Sequence, residues 1–239
     1  MRMRHLTRRL VATAALLAGL SACTPQPGEH GTQATGTQNA SVLDLKSDER
    51  RYVIDDTASR LLVYTYRGGK LARFGHNHVL NARSLRGDVA MSQQITGSRF
   101  RLEVPFAVIE VDPPALRRQA GPEVESKPSP EDIAATRENM LGPGGLDIAI
   151  APAAIIEGTV TASTDASATL DMAITVRKVT HRQSVEVALT RNGGSLRIVG
   201  ATALRHSDFG IEPFSVMLGA LTVKNKVDVK FDLVARPAT

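Results

Sequence analysis

The sequence predicts an all-β domain of about eight antiparallel strands, arranged either as a sandwich of two sheets or as a closed barrel. Three observations predict it. Apolar residues recur with a period of two in segment after segment, glycine-rich turn signals fall between those segments, and a single stretch carries helix punctuation. With 42% hydrophobic and 22% charged residues in 239, the composition is that of a chain that folds.

Taken in order, the N-terminus comes first and reads as an address. Arg2, Arg4, Arg8 and Arg9 precede an apolar run from Leu10 to Leu20, about eleven residues, which suits a signal peptide and is too short to span a bilayer. Leu20-Ser21-Ala22-Cys23 resembles the lipobox of bacterial lipoproteins, in which the cysteine thiol is diacylated. Two acyl chains give stable attachment where one is marginal, at about 0.8 kcal/mol per buried CH2. Thr24 rather than Asp resembles the pattern of lipoproteins that proceed to the outer membrane of a Gram-negative host. The expected location is therefore periplasmic and lipid-anchored, with Cys23 as the membrane link. Residues from Thr24 to about Asp48 are rich in Thr, Gln, Gly, Pro and Ser and bury too little to fold. The expected organisation is thus a signal peptide over 1–22, a lipidated cysteine and tether over 23–50, and a folded domain over 51–236.

Within the domain, Leu102, Val104, Phe106 and Val108 alternate with Arg101, Glu103 and Pro105. The pattern recurs at Leu170, Met172, Ile174 and Val176, at Val185, Val187 and Leu189, and at Val223, Val227, Val229, Phe231 and Leu233 against Lys224, Lys226, Asp228, Lys230 and Asp232. Each such strand has one buried and one wet face. Further strands are expected at 61–66, 80–91, 154–162 and 196–205. Turns fall at Gly68-Gly69 and Gly97-Ser98, and a hairpin at Asn192-Gly193-Gly194. The helix is expected from Pro130 to Leu141, with Ser129 as cap, Pro130 in the first turn and Gly142 as stop. The proline-bearing stretch from Val111 to Pro128 reads as a long excursion.

Composition excludes several function classes. The four N-terminal arginines account for four of the five net positive charges, so the domain is nearly neutral and nucleic acid is not an expected partner. A single cysteine allows no intrachain disulfide. No P-loop, G-x-G-x-x-G or nucleophile-elbow pattern appears, and Asp208-Phe209-Gly210 lacks every other kinase element. No enzymatic activity is expected from these patterns.

Three passages then resemble the YceI-like family. They are Tyr52-Val53-Ile54-Asp55 followed by Ser59, Leu170 to Val176 followed by Val179-Thr180-His181, and Ser207-Asp208-Phe209-Gly210-Ile211. Lys178 stands where that family usually has glycine. The resemblance implies an extended eight-stranded, lipocalin-like antiparallel barrel with one short helical excursion. It also implies a ligand, an isoprenoid-type lipid such as a quinone tail or polyprenyl chain. The expected lining is Leu62, Tyr64, Tyr66, Leu102, Val104, Phe106, Leu170, Met172, Ile174, Phe209, Val227, Val229 and Phe231. Alternation alone does not distinguish a solid core from a hollow one.

Phe74-Gly75-His76-Asn77-His78 departs from the plain family pattern. In an extended segment His76 and His78 project to one side, where they suit a ligand head group or a metal. Metal binding would need further donors, His206 or His181 with a carboxylate such as Asp208, brought together in space. The alternative function is therefore a metal- or redox-cofactor-binding lipoprotein using His76, His78 and His206.

Overall fold

A computed structural model describes residues 42–238. The expected signal peptide, Cys23 and most of the expected tether lie outside the described residues. The rest is one sheet whose eight staves close on themselves. The first three staves are each broken in two. β1 (Arg50–Ile54) and β2 (Arg60–Gly68) follow one another along the first. β3 (His78–Ala82) and β4 (Arg86–Met91) make the second, and β5 (Arg99–Pro105) and the short β6 (Glu110–Val111) make the third. β7 (Ala153–Ser163), β8 (Ser167–Val176), β9 (Val179–Asn192) and β10 (Ser195–Arg205) then pair in sequence as antiparallel neighbours. After the two-residue β11 (Ser215–Val216), the 17-residue β12 (Leu221–Pro237) closes the barrel. One edge of β12 pairs with β10, and the other with β2 and then β1.

The seam survives the break between β1 and β2 because side chains bridge it. The Asp55 amide donates to the Val234 carbonyl at 2.8 Å, and the Val234 amide donates to Ser59 Oγ at 3.0 Å. Asp55 also accepts from Arg236 at 2.6 Å and caps its own turn through Thr57. Those hydrogen bonds, from Thr57 first and then Arg236, hold its carboxyl down to about 2.

The other two breaks separate segments that read as continuous. Residues 80–91 were expected as one strand, but Ser84 takes a positive φ of 57° and splits it, with Leu85 turning inward. The hairpin at 192–195 is a two-residue loop in which Gly193 and Gly194 have φ of 54° and 86°, as a right-twisted ribbon requires.

The helix forms where the sequence places it, as α2 (Pro130–Leu141), with a capping box between Ser129 and Asp132. A second helix was not expected: the excursion holds α1 (Pro114–Ala120). Pro114 fits a first helical turn, where a missing N–H costs nothing. The seven residues of α1 make barely two turns, with only Leu116 and Ala120 on the packed face, too few for a periodic signal. Among the described residues no helix is long and apolar enough to cross a membrane.

Inside, glycines face aromatic rings. A Cβ on Gly200 would lie 2.5 Å from the Phe231 ring across the strand pair, and one on Gly158 would lie 2.6 Å from Phe100 and 2.2 Å from the Asp171 carbonyl. The ring tips occupy the space the missing side chains leave. Because the Asp171 carbonyl is ladder backbone that cannot retreat, Gly158→Val should destabilise the fold by roughly 1–3 kcal/mol, measured by chemical denaturation.

Candidate functional site

The staves enclose a cavity of about 1220 Å3. Its wall follows from the alternation. Phe100, Leu102 and Val104 come from β5, Leu170, Met172 and Ile174 from β8, Leu196, Ile198 and Leu204 from β10, and Val227, Val229 and Phe231 from β12. From Leu196 to Leu204 the lining runs about 26 Å along the strand at 3.3 Å per residue. Met91, Ile95 and Ser98 mark one end, and His76, α2, Phe209 and Phe214 mark the other. Strand directions explain that second end. Connections 69–77, 106–152 and 206–220 all emerge there, whereas the opposite end has the tight turns at 164–166 and 193–194.

The structure places Leu102, Val104, Phe106, Leu170, Met172, Ile174, Phe209, Val227, Val229 and Phe231 on the cavity wall. It does not place Leu62, Tyr64 and Tyr66 there. In β2 the inward residues are Leu61, Val63, Thr65 and Arg67, so the expected phase is off by one. The cause is a strand apolar on both faces. Tyr64 is buried outside the barrel with Val79 and Val124, flanked by Leu62, Tyr66, Leu116 and Ala120, beneath α1 and the turn that follows it. Tyr66 donates its hydroxyl to Asp228 at 2.9 Å, and Lys230 lies over the Tyr64 ring.

His76 and His78 both reach the cavity, with ring centroids 6.2 Å apart. Each turns to a carboxylate. His78 Nδ1 is 2.6 Å from Asp112 Oδ2, and its Nε2 is 3.4 Å from Thr136 Oγ1 on α2. Because an ionised carboxylate only accepts, Nδ1 carries the proton. His76 Nε2 lies 3.4 Å from Asp132 on α2. The two histidines therefore tie the 75–78 segment to one face of α2, one turn apart.

Asp112 was not singled out in the sequence, yet it centres this cluster. Its φ of 53° is one that Asp tolerates. The side chain is wholly buried, accepting from the Val79 amide at 2.9 Å and from Arg117 at 2.6 Å as well as from His78. Arg117 also donates to the carbonyls of Asn77 and Val124 and to that of Ser126. Burial pushes the Asp112 carboxyl up, but hydrogen bonds from His78 and the Val79 amide, with the nearby positive charges, outweigh it and leave the group below its ordinary value. An acidic residue at a strand end, five before an arginine on a helix, is too common a pattern to flag this.

His206 also lines the cavity, in the turn after β10. Its Nδ1 donates to the Asn225 carbonyl at 3.1 Å, and burial pushes the imidazole below its ordinary value. Phe209 is buried beside it, edge-on to His181, with Gly210 in the left-handed region ending the turn. Among the described residues no three His, Cys, Asp or Glu side chains come together in a way that would hold a metal ion.

A closed antiparallel barrel with a long apolar interior and polar groups gathered at one end defines a lipocalin-like binding protein. The YceI-like domain pattern matches residues 52–235, and the chain belongs to that family. Its fold is that of BcnA from Burkholderia cenocepacia, with a TM-score of 0.54 at 13% identity over 78% of this chain and 99% of that one. The YceI protein of Campylobacter jejuni aligns with a TM-score of 0.49 at 6% identity over 67% of this chain and 85% of that one. No curated protein matches the sequence closely enough to count as a relative.

The buried cluster makes stability pH-dependent in a defined direction. Since the folded carboxyl of Asp112 lies below its unfolded value, its contribution is full above about pH 4 and is lost as pH falls through the lower folded value. Asp112→Asn should flatten the acid limb of the stability curve. Asp112→Ala, which leaves Arg117 uncompensated, should cost about 3–5 kcal/mol at neutral pH. Chemical denaturation across the acid range measures both.

Proposed function

We propose that the protein is a membrane-anchored periplasmic lipoprotein that encloses the chain of an isoprenoid-type lipid, such as a quinone or polyprenyl chain, within its barrel. The observation that carries this reading is the cavity itself. At about 1220 Å3 it exceeds the 300–1,000 Å3 of ordinary small-molecule sites. Its wall is predominantly apolar, with Leu, Val, Ile, Met and Phe the commonest lining residues, and it extends about 26 Å along β10.

An apolar chain is the ligand that such a shape favours. Every Å2 of it withdrawn from water contributes about 25 cal/mol, offset in part by the ordering of a flexible tail. A polar ligand would leave most of its hydrogen bonds unmade against this wall. The polar groups lie where a head group would sit: His76 and His78 at the 75–78 segment, Thr136 on α2 and His206 across the opening. In this reading the protein binds and carries, and Cys23 holds it to the outer membrane.

Organic-solvent extraction of protein purified from its host, followed by mass spectrometry, should release close to one long-chain isoprenoid lipid per protein. An extract free of such lipid would overturn the reading. Metabolic labelling with palmitate should label the chain and not its Cys23→Ala variant; an unlabelled parent would remove the anchor from the proposal.

A further inference from the structure

The open end of the barrel carries an apolar rim that the fold does not require. Two segments form it. Residues 70–74 (Lys-Leu-Ala-Arg-Phe) and the hairpin 214–221 lie side by side, joined by the Leu71 amide donating to the Ala220 carbonyl at 2.7 Å. Phe74, Phe214, Met217 and Leu218 are 63%, 48%, 68% and 108% exposed, and Phe74 and Phe214 also line the cavity. The rim is thus continuous with the cavity wall.

The hairpin tip is the telling feature. The Gly219 amide donates to the Val216 carbonyl, and the two central residues, Met217 and Leu218, both have φ of 54°. Both lie in the left-handed region, which Gly and Asn adopt readily and bulky side chains rarely do, within a four-residue loop closed by the Val216–Leu221 pair. A sequence selected for the turn alone would not hold Met-Leu here, and neither side chain is covered. The fold gains nothing from them.

Charge supplies the partner. Lys70, Arg73 and Lys224 are exposed around these side chains, with Arg73 packed over the Phe74 ring. No acid occurs from residue 57 to 87 or from 213 to 227. Acids do occur at this end, among them Asp112, Asp208, Glu212 and, on α2, Glu131, Asp132 and Glu138, but none falls within the two rim segments; Asp112 is paired with His78 and Arg117, and Asp132 faces His76. Apolar side chains at a tip, ringed by cations, match the boundary between anionic head groups and acyl chains.

We propose that this rim docks on the surface of a bilayer containing anionic phospholipid, inserting Met217, Leu218 and Phe74 so that the barrel opening faces the membrane. The role rests on the lipid-carrying reading, because docking there gives an apolar tail a route that avoids water.

The test is co-sedimentation of the chain from residue 23 onward carrying Cys23→Ser, so that neither signal peptide nor acyl chains contribute. The probes are phosphatidylethanolamine vesicles with and without phosphatidylglycerol. The parent should bind the anionic vesicles, less so at high salt. Met217→Asn/Leu218→Gly should bind at least about tenfold more weakly while melting no lower than the parent, since Asn and Gly adopt the left-handed conformation with less strain. Lys70→Glu/Arg73→Glu should lose the preference for phosphatidylglycerol. A parent that stays in the supernatant, or a tip variant that binds as well as the parent, would overturn docking. Solvent extraction of the same tip variant separates the two readings. Bound lipid with vesicle binding lost supports docking, whereas vesicle binding with an empty extract removes the carrier reading and the role built on it.

Discussion

Closure of the sheet along β12 is the constraint on which the rest depends. An open sheet of this size would present two edges and could not keep its apolar face dry. A closed one has no edge, and its interior hydrogen bonds are all made between strands. β12 is long enough to reach β10 on one side and two separate strands on the other, so a single element ties the N-terminal staves to the C-terminal hairpins. The break between β1 and β2 falls on this seam, and Asp55 and Ser59 hold it together there. That gives the Tyr52-to-Ser59 passage a mechanical meaning beyond family likeness.

A closed wall can stay apart from its opposite side only if side chains are too small or too few to meet. The lining is built from Leu, Val, Ile, Ala and Met, with no tryptophan in the chain. The largest rings are laid against glycines: Phe231 covers Gly200 and Phe100 covers Gly158. Rings that lean across the wall onto a glycine take less of the lumen than rings directed at the axis. The interior is therefore unfilled in spite of being lined throughout by hydrophobic residues. Those residues forgo dispersion contacts across the barrel, and an apolar guest would restore them.

Much of this was legible in the sequence, and the exceptions have physical causes. Strands with one wet face, such as 223–233, gave both their position and their inward residues, because charge on alternate positions leaves no choice of phase. β2 gave its position but not its phase: Leu61, Leu62, Val63 and Tyr64 satisfy either face, and the outer one is covered by residues more than fifty positions later. Hollowness was not legible, since alternation states which side chains point inward and says nothing of whether they meet. His76 and His78 were legible as a pair with a shared direction. Their partners Asp112, Asp132 and Thr136 were not, because they come from a connection whose path depends on tertiary contacts.

That connection shows how polar chemistry came to sit at one end of an apolar barrel. Neither α1 nor α2 has a fully buried residue, and each packs on the barrel through only two half-buried apolar side chains, Leu116 and Ala120 of α1 and Met140 and Leu141 of α2. Ion pairs and hydrogen bonds supplement this apolar contact. Arg117 of α1 and His78 of β3 share Asp112, Thr136 of α2 meets the far side of the His78 ring, and Arg137 donates to the carbonyls of Ala107 and Ile109. Docking through charged groups, which must be satisfied in fixed directions, holds α2 at the opening while the apolar space below it stays free. The same groups that secure the helix therefore set the polarity of the only end at which the long connections emerge.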